Sequence, residues 1–182
     1  NGGYPKKERL THPSIAESVA NALIDSLDWK VVPHIQYLTD FWFDYFPKMA
    51  VEMPHARTVL EKLKSKGYVL AVISNGMHLS RLKTLQSLGF EQYFDEIISS
   101  EKVGFKKPEA EIFHKTCEIL NVSARRCLFI GDHPINDYAG AKSVGMQALL
   151  LKGFHAVTDE NIQTIENLAE VLPYLEAKLH ND

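Results

Sequence analysis

The segment Gly131-Asp132-His133-Pro134-Ile135-Asn136-Asp137 sets two carboxylates close together, directly after the apolar run Leu128-Phe129-Ile130. Proline suits the first turn of a helix, so both aspartates fall at or near a helix start. Carboxylates held this close repel one another unless a cation or a lysine neutralises them, and oxygen ligands with water are what Mg²⁺ prefers. The plainer reading is an N-cap aspartate followed by a surface one. A second group, Ser74-Asn75-Gly76, directly follows Ile73 and precedes a helix-like stretch. A small hydroxyl there, together with backbone N–H groups at the helix start, can hold a phosphate oxygen, and Gly76 permits a sharp turn. The same three residues also make an ordinary turn. The third group is Lys107-Pro108. A residue before proline is kept extended, so Lys107 is presented from a loop just ahead of a helix and can reach a phosphate or a carboxylate. Its plain alternative is a surface lysine.

These groups need a scaffold, and the chain from Pro54 onward predicts one. A helix from Pro54 to Lys66, stopped by Gly67, feeds the apolar run Tyr68–Ile73; a helix near 78–88, stopped by Gly89, leads to Phe94–Ile98. A helix over about 109–120 is followed by Cys127–Ile130, one over 134–144 is closed by Gly145, Gln147–Leu151 is the next strand, and Asn167 caps a last helix. Helices alternating with buried strands predict a parallel sheet covered on both faces. In such a sheet the ligand site lies beyond the carboxyl ends of the strands, which is where all three groups fall. Ala139-Gly140-Ala141 is expected to let a helix pack closely on the sheet. The front of the chain differs, with helical signals only. Ser14-x-x-Glu17 reads as a capping box ahead of Ile15, Val19, Leu23 and Leu27. Ile35, Leu38, Phe41, Trp42, Tyr45 and Phe46 follow helical spacing over 34–47, an aromatic stripe expected to serve packing. The expected division is therefore residues 1–52 as a helical appendage and 53–182 as an α/β core.

A chain of 182 residues, 45% apolar and 24% charged, suits one sizeable soluble core with a small addition. The net charge of −3 is spread along the chain with no basic block, so no nucleic-acid partner is expected. No apolar run is long enough to span a bilayer, which makes a cytoplasmic location without membrane contact the default expectation. Cys117 and Cys127 are expected as buried reduced thiols rather than a disulfide or a zinc pair.

Taken in order, Ile73-Ser74-Asn75-Gly76, Lys106-Lys107-Pro108-Glu109-Ala110-Glu111-Ile112-Phe113 and the stretch from Gly131 to Ala141 resemble the second, third and fourth motifs of the haloacid dehalogenase (HAD) superfamily. The resemblance covers residues 54 to about 172 and is nearest the nucleotidase-like phosphatases. It implies a Rossmann-like α/β core with helices on both faces of a parallel sheet, and it makes residues 1–52 similar to the later part of a helical cap. It also implies a phosphate-monoester hydrolase that uses Mg²⁺ and works through an aspartyl-phosphate. In that scheme Ser74, with Asn75 and Gly76, binds the phosphoryl group, and Lys107 neutralises nucleophile and phosphate. Asp132 helps to hold Mg²⁺, and Asp137 positions the lysine or joins the metal site. The partner implied is a small phosphorylated metabolite or a nucleotide. Haloacid dehalogenases use no Mg²⁺ and lack the Gly-Asp opening, so Gly131-Asp132 favours the phosphatase.

The superfamily's first motif, Asp-x-Asp-x-Thr at the end of the first strand, has no match here. Asp25 and Asp28 have the wrong spacing and, like Asp40 and Asp44, lie in helical stretches. The resemblance thus places the first strand ahead of Asn1, centrally between 68–73 and 127–130. The expected consequence is that a separate or swapped segment fills that position, that the two flanking strands pair directly, or that an upstream part supplies it. The competing expectation is an inactive fragment, a binding or regulatory remnant.

Overall fold

Tyr68 and Leu70 belong to the first apolar run but are claimed by contacts outside any strand. The Tyr68 N–H donates to Leu63 O at 3.1 Å, and the Leu70 N–H donates to the Asp95 carboxylate at 2.8 Å. Strand β1 therefore covers Ala71–Ser74 rather than 68–73. The computed structural model describes residues 15–179, so Ser14 and its expected capping box lie outside the described residues. The chain divides at Ala50 and Val51 into two units.

In the first unit, α1 (Ile15–Ser26) packs on α2 (Ile35–Tyr45), which runs into a 3₁₀ turn at Phe46–Met49. Ala16, Ala20 and Thr39 are buried, and His34 Nδ1 accepts the Gln36 N–H at 3.3 Å to cap α2. The aromatic stripe differs from expectation. Phe41 stacks on Tyr45 and Trp42 on Phe46, each pair with centroids 4.3 Å apart, while Phe41, Tyr45 and Phe46 stay about half exposed. Rings four residues apart on a helix cover one another more readily than they reach a core.

The second unit alternates strand and helix as expected. It comprises α3 (Ala56–Ser65), β1, α4 (His78–Leu88), β2 (Glu96–Ser99), α5 (Ser100–Val103), α6 (Ala110–Leu120), β3 (Leu128–Gly131), a π-helical segment Pro134–Ala139, α7 (Gly140–Ser143), β4 (Gln147–Leu151), β5 (Thr164–Ile165) and α8 (Val171–Leu179). All pairing is parallel, but in two sheets, β1-β2 and β3-β4-β5. Direct pairing of β1 with β3 does not occur, and residues 15–52 contain no strand that could stand between them. Successive residues of β4 face opposite ways. Ala148 joins Ile112, Phe113, Cys117 and Ala141 from α6 and α7, whereas Leu149 and Leu151 join Val59, Leu63 and Val171 from α3 and α8. Helices thus cover both faces. β4 is buried over four of its five residues, while every residue of β1 and β3 is only partly buried.

Both thiols are free, Cys117 buried and Cys127 partly so. Burial, then the neighbouring Cys117, pushes the Cys127 thiol up to about 11. Because the thiolate is the nucleophile, Cys127 is expected to alkylate with iodoacetamide far more slowly at neutral pH than an ordinary cysteine. Asp95 closes the entry to β1 and β2. Lys64 Nζ lies 2.9 Å from both its oxygens, and these contacts, with the Leu70 N–H, hold the carboxyl below its ordinary 3.8. A lowered folded-state pKa contributes stability above the unfolded value and loses it as pH falls through the folded one. Asp95→Asn is expected to cost under about 1 kcal/mol at pH 7, the pair being exposed, with the difference from wild type shrinking as the medium is taken below about pH 4. Urea midpoints at the two ends of that range check it.

Candidate functional site

β1 ends on Ser74, and the chain turns at Gly76 with φ 110°, a conformation glycine adopts without strain. The corner between β2 and α5 grips this turn. Ser100 Oγ accepts the Gly76 N–H at 2.8 Å and Glu101 Oε2 accepts the His78 N–H at 2.8 Å. Gly76 therefore contributes shape, and its N–H is not offered to a ligand. Asn75 reaches across to the loop ahead of α6. Its Nδ2 donates to Lys107 O at 3.0 Å while its Oδ1 accepts the Lys107 N–H at 2.8 Å. That two-point clasp fixes where the lysine side chain starts. Ser74 Oγ accepts from Arg81 Nε at 2.9 Å and donates to Asn75 O at 3.2 Å.

Lys107 extends over the Phe129 ring, 5.4 Å from its centroid, and ends 2.6 Å from Asp137 Oδ1. The contact is a close ion pair without the directionality of a hydrogen bond, and both side chains are largely withdrawn from water, 13% and 6% exposed. The second Asp137 oxygen accepts the N–H groups of Asp132 at 3.1 Å and His133 at 3.0 Å. This folds the loop after β3 around one carboxylate. Gly131 makes room for it, since a Cβ there would lie 2.5 Å from the Asp137 side chain. Asp132 takes the opposite role. Its carboxylate is 49% exposed, with His155 Nε2 at 3.7 Å.

The plain reading of an N-cap and a surface aspartate does not describe this pair. The cap is His133, whose Nδ1 accepts from the Ile135 and Asn136 N–H groups at 3.1 Å, and Asp137 is buried. Ala141 packs with Ala148 of β4, so the helix lies on the sheet as expected, and Gly140 also approaches α6: a Cβ there would meet the Phe113 ring at 2.9 Å and Pro108 Cα at 3.2 Å. Ser74, Asn75, Lys107, Asp137 and the Asp132 loop are thus tied together at the carboxyl ends of β1 and β3. A cleft of about 430 Å³ lined by Gly76, Ser100, Glu101 and Lys106 includes none of that group and meets it only at the neighbouring positions of the same turn and loop. Among the described residues no cluster of three or more His, Cys, Asp or Glu is arranged to hold a metal ion. The Asp132 carboxylate is accessible to solvent. Sequence reasoning missed Arg81, Ser100, Glu101 and His155. Only Arg81 carried a usable signal, as a cation at the start of the helix that follows the Ser-Asn-Gly turn.

The profile of the haloacid dehalogenase-like hydrolases matches residues 8–151, which is most of the sequence. The chain belongs to that family. It is 38% identical over 98 residues to a glyceraldehyde 3-phosphate phosphatase of Methanothermobacter thermautotrophicus, covering 54% of this chain and 43% of that one. A solved HAD phosphatase from Thermococcus onnurineus superposes with a TM-score of 0.66 at 29% identity, over 85% of this chain and 69% of that one. A 2-haloacid dehalogenase from Pseudomonas syringae pv. Tomato superposes with a TM-score of 0.68 at 28% identity, over 91% of this chain and 71% of that one. The chain spans about half the length of the curated relatives it matches. Among the described residues no helix is long and apolar enough to cross a membrane.

Breaking a buried pair from one side strands the other charge. Asp137→Asn is expected to destabilise the second unit by about 3 kcal/mol, read from urea unfolding, and the Asp137→Asn/Lys107→Met pair is expected to recover part of that loss.

Proposed function

We propose that this chain carries the phosphate-binding and charge-neutralising half of a Mg²⁺-dependent phosphate-monoester hydrolase acting on a small phosphorylated metabolite. The observation that carries the reading is the Lys107–Asp137 pair at 2.6 Å, held beside Ser74 by the Asn75 clasp. That arrangement brings an ammonium and a hydroxyl to the carboxyl ends of β1 and β3, where a phosphoryl group would find both. Asp132, exposed at the same edge, is the residue here that offers an oxygen to Mg²⁺, whose charge would be set against the phosphoryl oxygens. Asp137, with both oxygens engaged, is assigned to holding Lys107 and the loop rather than to the ion.

Residues 1–182 contain no Asp-x-Asp pair, so the reading assigns the nucleophile to a segment beyond them. Its carboxylate attacks phosphorus, the ester oxygen leaves with a proton, and water then cleaves the aspartyl-phosphate to inorganic phosphate. The helical first unit is assigned to the cap side of such an enzyme. Relatives named for glyceraldehyde 3-phosphate and phosphoglycolate support a small phosphorylated substrate over a nucleotide. The dehalogenase likeness is answered by Gly131-Asp132, which dehalogenases lack.

The test is hydrolysis of a panel of small phosphate monoesters by the 182-residue chain and by a version carrying the sequence upstream of Asn1. Activity confined to the longer version is expected, and Lys107→Ala in it is expected to lower kcat by about 10²–10³-fold. Absence of hydrolysis in both versions, with Mg²⁺ supplied, would favour the remnant and sink the enzyme.

A further inference from the structure

Lys107 shares its charge with Asp137, whose Oδ1 stands 2.6 Å from its Nζ. Among the described residues, the cation at the end of β1 that has no paired carboxylate is Arg81. Its Nε donates to Ser74 Oγ at 2.9 Å, the side chain is partly buried, and among the described residues no carboxylate pairs with it. Arg57 shows the ordinary arrangement, its guanidinium 3.0 Å from Glu52 Oε2 and 2.8 Å from Leu88 O. A guanidinium drawn partly out of water and left with a hydroxyl as its neighbour keeps donors available for an anion.

We propose that Arg81 is a phosphate-binding residue. Its Nε anchors Ser74 Oγ while its terminal amino groups take a phosphoryl oxygen, so that arginine and serine act as one unit. The Ser74 hydroxyl now rests on Asn75 O at 3.2 Å, a long contact for O–H···O that rotation of the hydroxyl exchanges for a phosphoryl oxygen. An oxygen that accepts an N–H from a cation is the better donor in turn. The planar fork of arginine suits phosphate as lysine does not. This inference rests on the phosphate-binding reading of Ser74 given above.

Titration of inorganic phosphate into the 182-residue chain, followed by the amide resonances of Ser74 and Asn75, tests it in wild type, Arg81→Gln and Arg81→Lys. Expected is phosphate binding by wild type, weakened about tenfold or more in Arg81→Gln and partly recovered in Arg81→Lys, the loss of one charge-assisted contact. Thermal unfolding of each variant gives the folded fraction. An arginine that merely supports the turn leaves the affinity per folded molecule unchanged in both variants, and that result overturns the proposal. Arg81→Lys carries the test alone if Arg81→Gln does not fold. A wild-type chain whose Ser74 and Asn75 resonances ignore phosphate refutes the phosphate site itself and Arg81 with it. That outcome is distinct from one in which wild type binds and the variants bind equally well.

Discussion

The site depends on one buried carboxylate. Asp137 is withdrawn from water, and a charge so placed is tolerated only when paired and hydrogen-bonded. The chain meets that demand from three directions. Lys107 supplies the opposite charge, the Asp132 and His133 amides supply hydrogen bonds, and Gly131 supplies space. Each of these solutions fixes something else. The lysine must come from a loop whose path is set by Asn75, the amides require the turn after β3 to curl back on itself, and the glycine closes the strand end against a side chain. Phe113, packed edge-on to Phe129 with centroids 5.4 Å apart, then lies so close to Gly140 that no larger residue fits there.

That constraint also explains how the second unit holds two sheets together at this edge. β1 and β3 share no hydrogen-bond ladder, and both are partly buried along their length although most of their residues are apolar. Side chains do part of what a ladder does elsewhere: the turn after β1 grips Lys107 through Asn75, and Lys107 grips the turn after β3 through Asp137. Packing contributes as well, since Ile73 and Phe129 lie against one cluster and Leu70 and Ile130 against another. Strands with unpaired edges are prone to recruit other chains. Here they are also the strands that deliver Ser74 and the Asp132 loop.

Much of this was legible in the sequence because the signals were local. Helix α4 spans His78–Leu88 as Gly89 predicts, with Gly89 in the left-handed region, and Asn167, together with Glu170, caps the 3₁₀ turn Leu168–Glu170 that runs into α8. Ser74-Asn75-Gly76 and Gly131–Asp137 each directly follow a strand, whereas Lys107 lies in the loop between α5 and α6 and is tied to the first group by Asn75. What escaped was set by partners distant in sequence. The late start of β1 follows from Asp95, 25 residues beyond Leu70. The loss of Gly76 as a donor follows from Ser100, and α5, one turn long and capped by Ser99, is too short to show a period. The close approach of Gly140 to α6 depends on where Phe113 lies, which no spacing within Ala139-Gly140-Ala141 reveals.

The divergence of Asp132 and Asp137 comes from the winding of the chain between them. In the stretch after Pro134 the Asp137 N–H donates to His133 O at 3.0 Å, four residues back, and the Tyr138 N–H donates to the same oxygen at 3.2 Å, five residues back. The wider turn belongs to a π-helical segment, a form met mostly as single turns and frequently at functional sites. Here it accompanies a side chain that curls under its own N-terminus and meets the amides of Asp132 and His133. Once Asp137 has taken those amides, Asp132 cannot use them to settle its own charge and is left facing outward, with an imidazole 3.7 Å away. Two like charges five positions apart are thereby separated into a buried one that organises the loop and an exposed one that remains available to a cation.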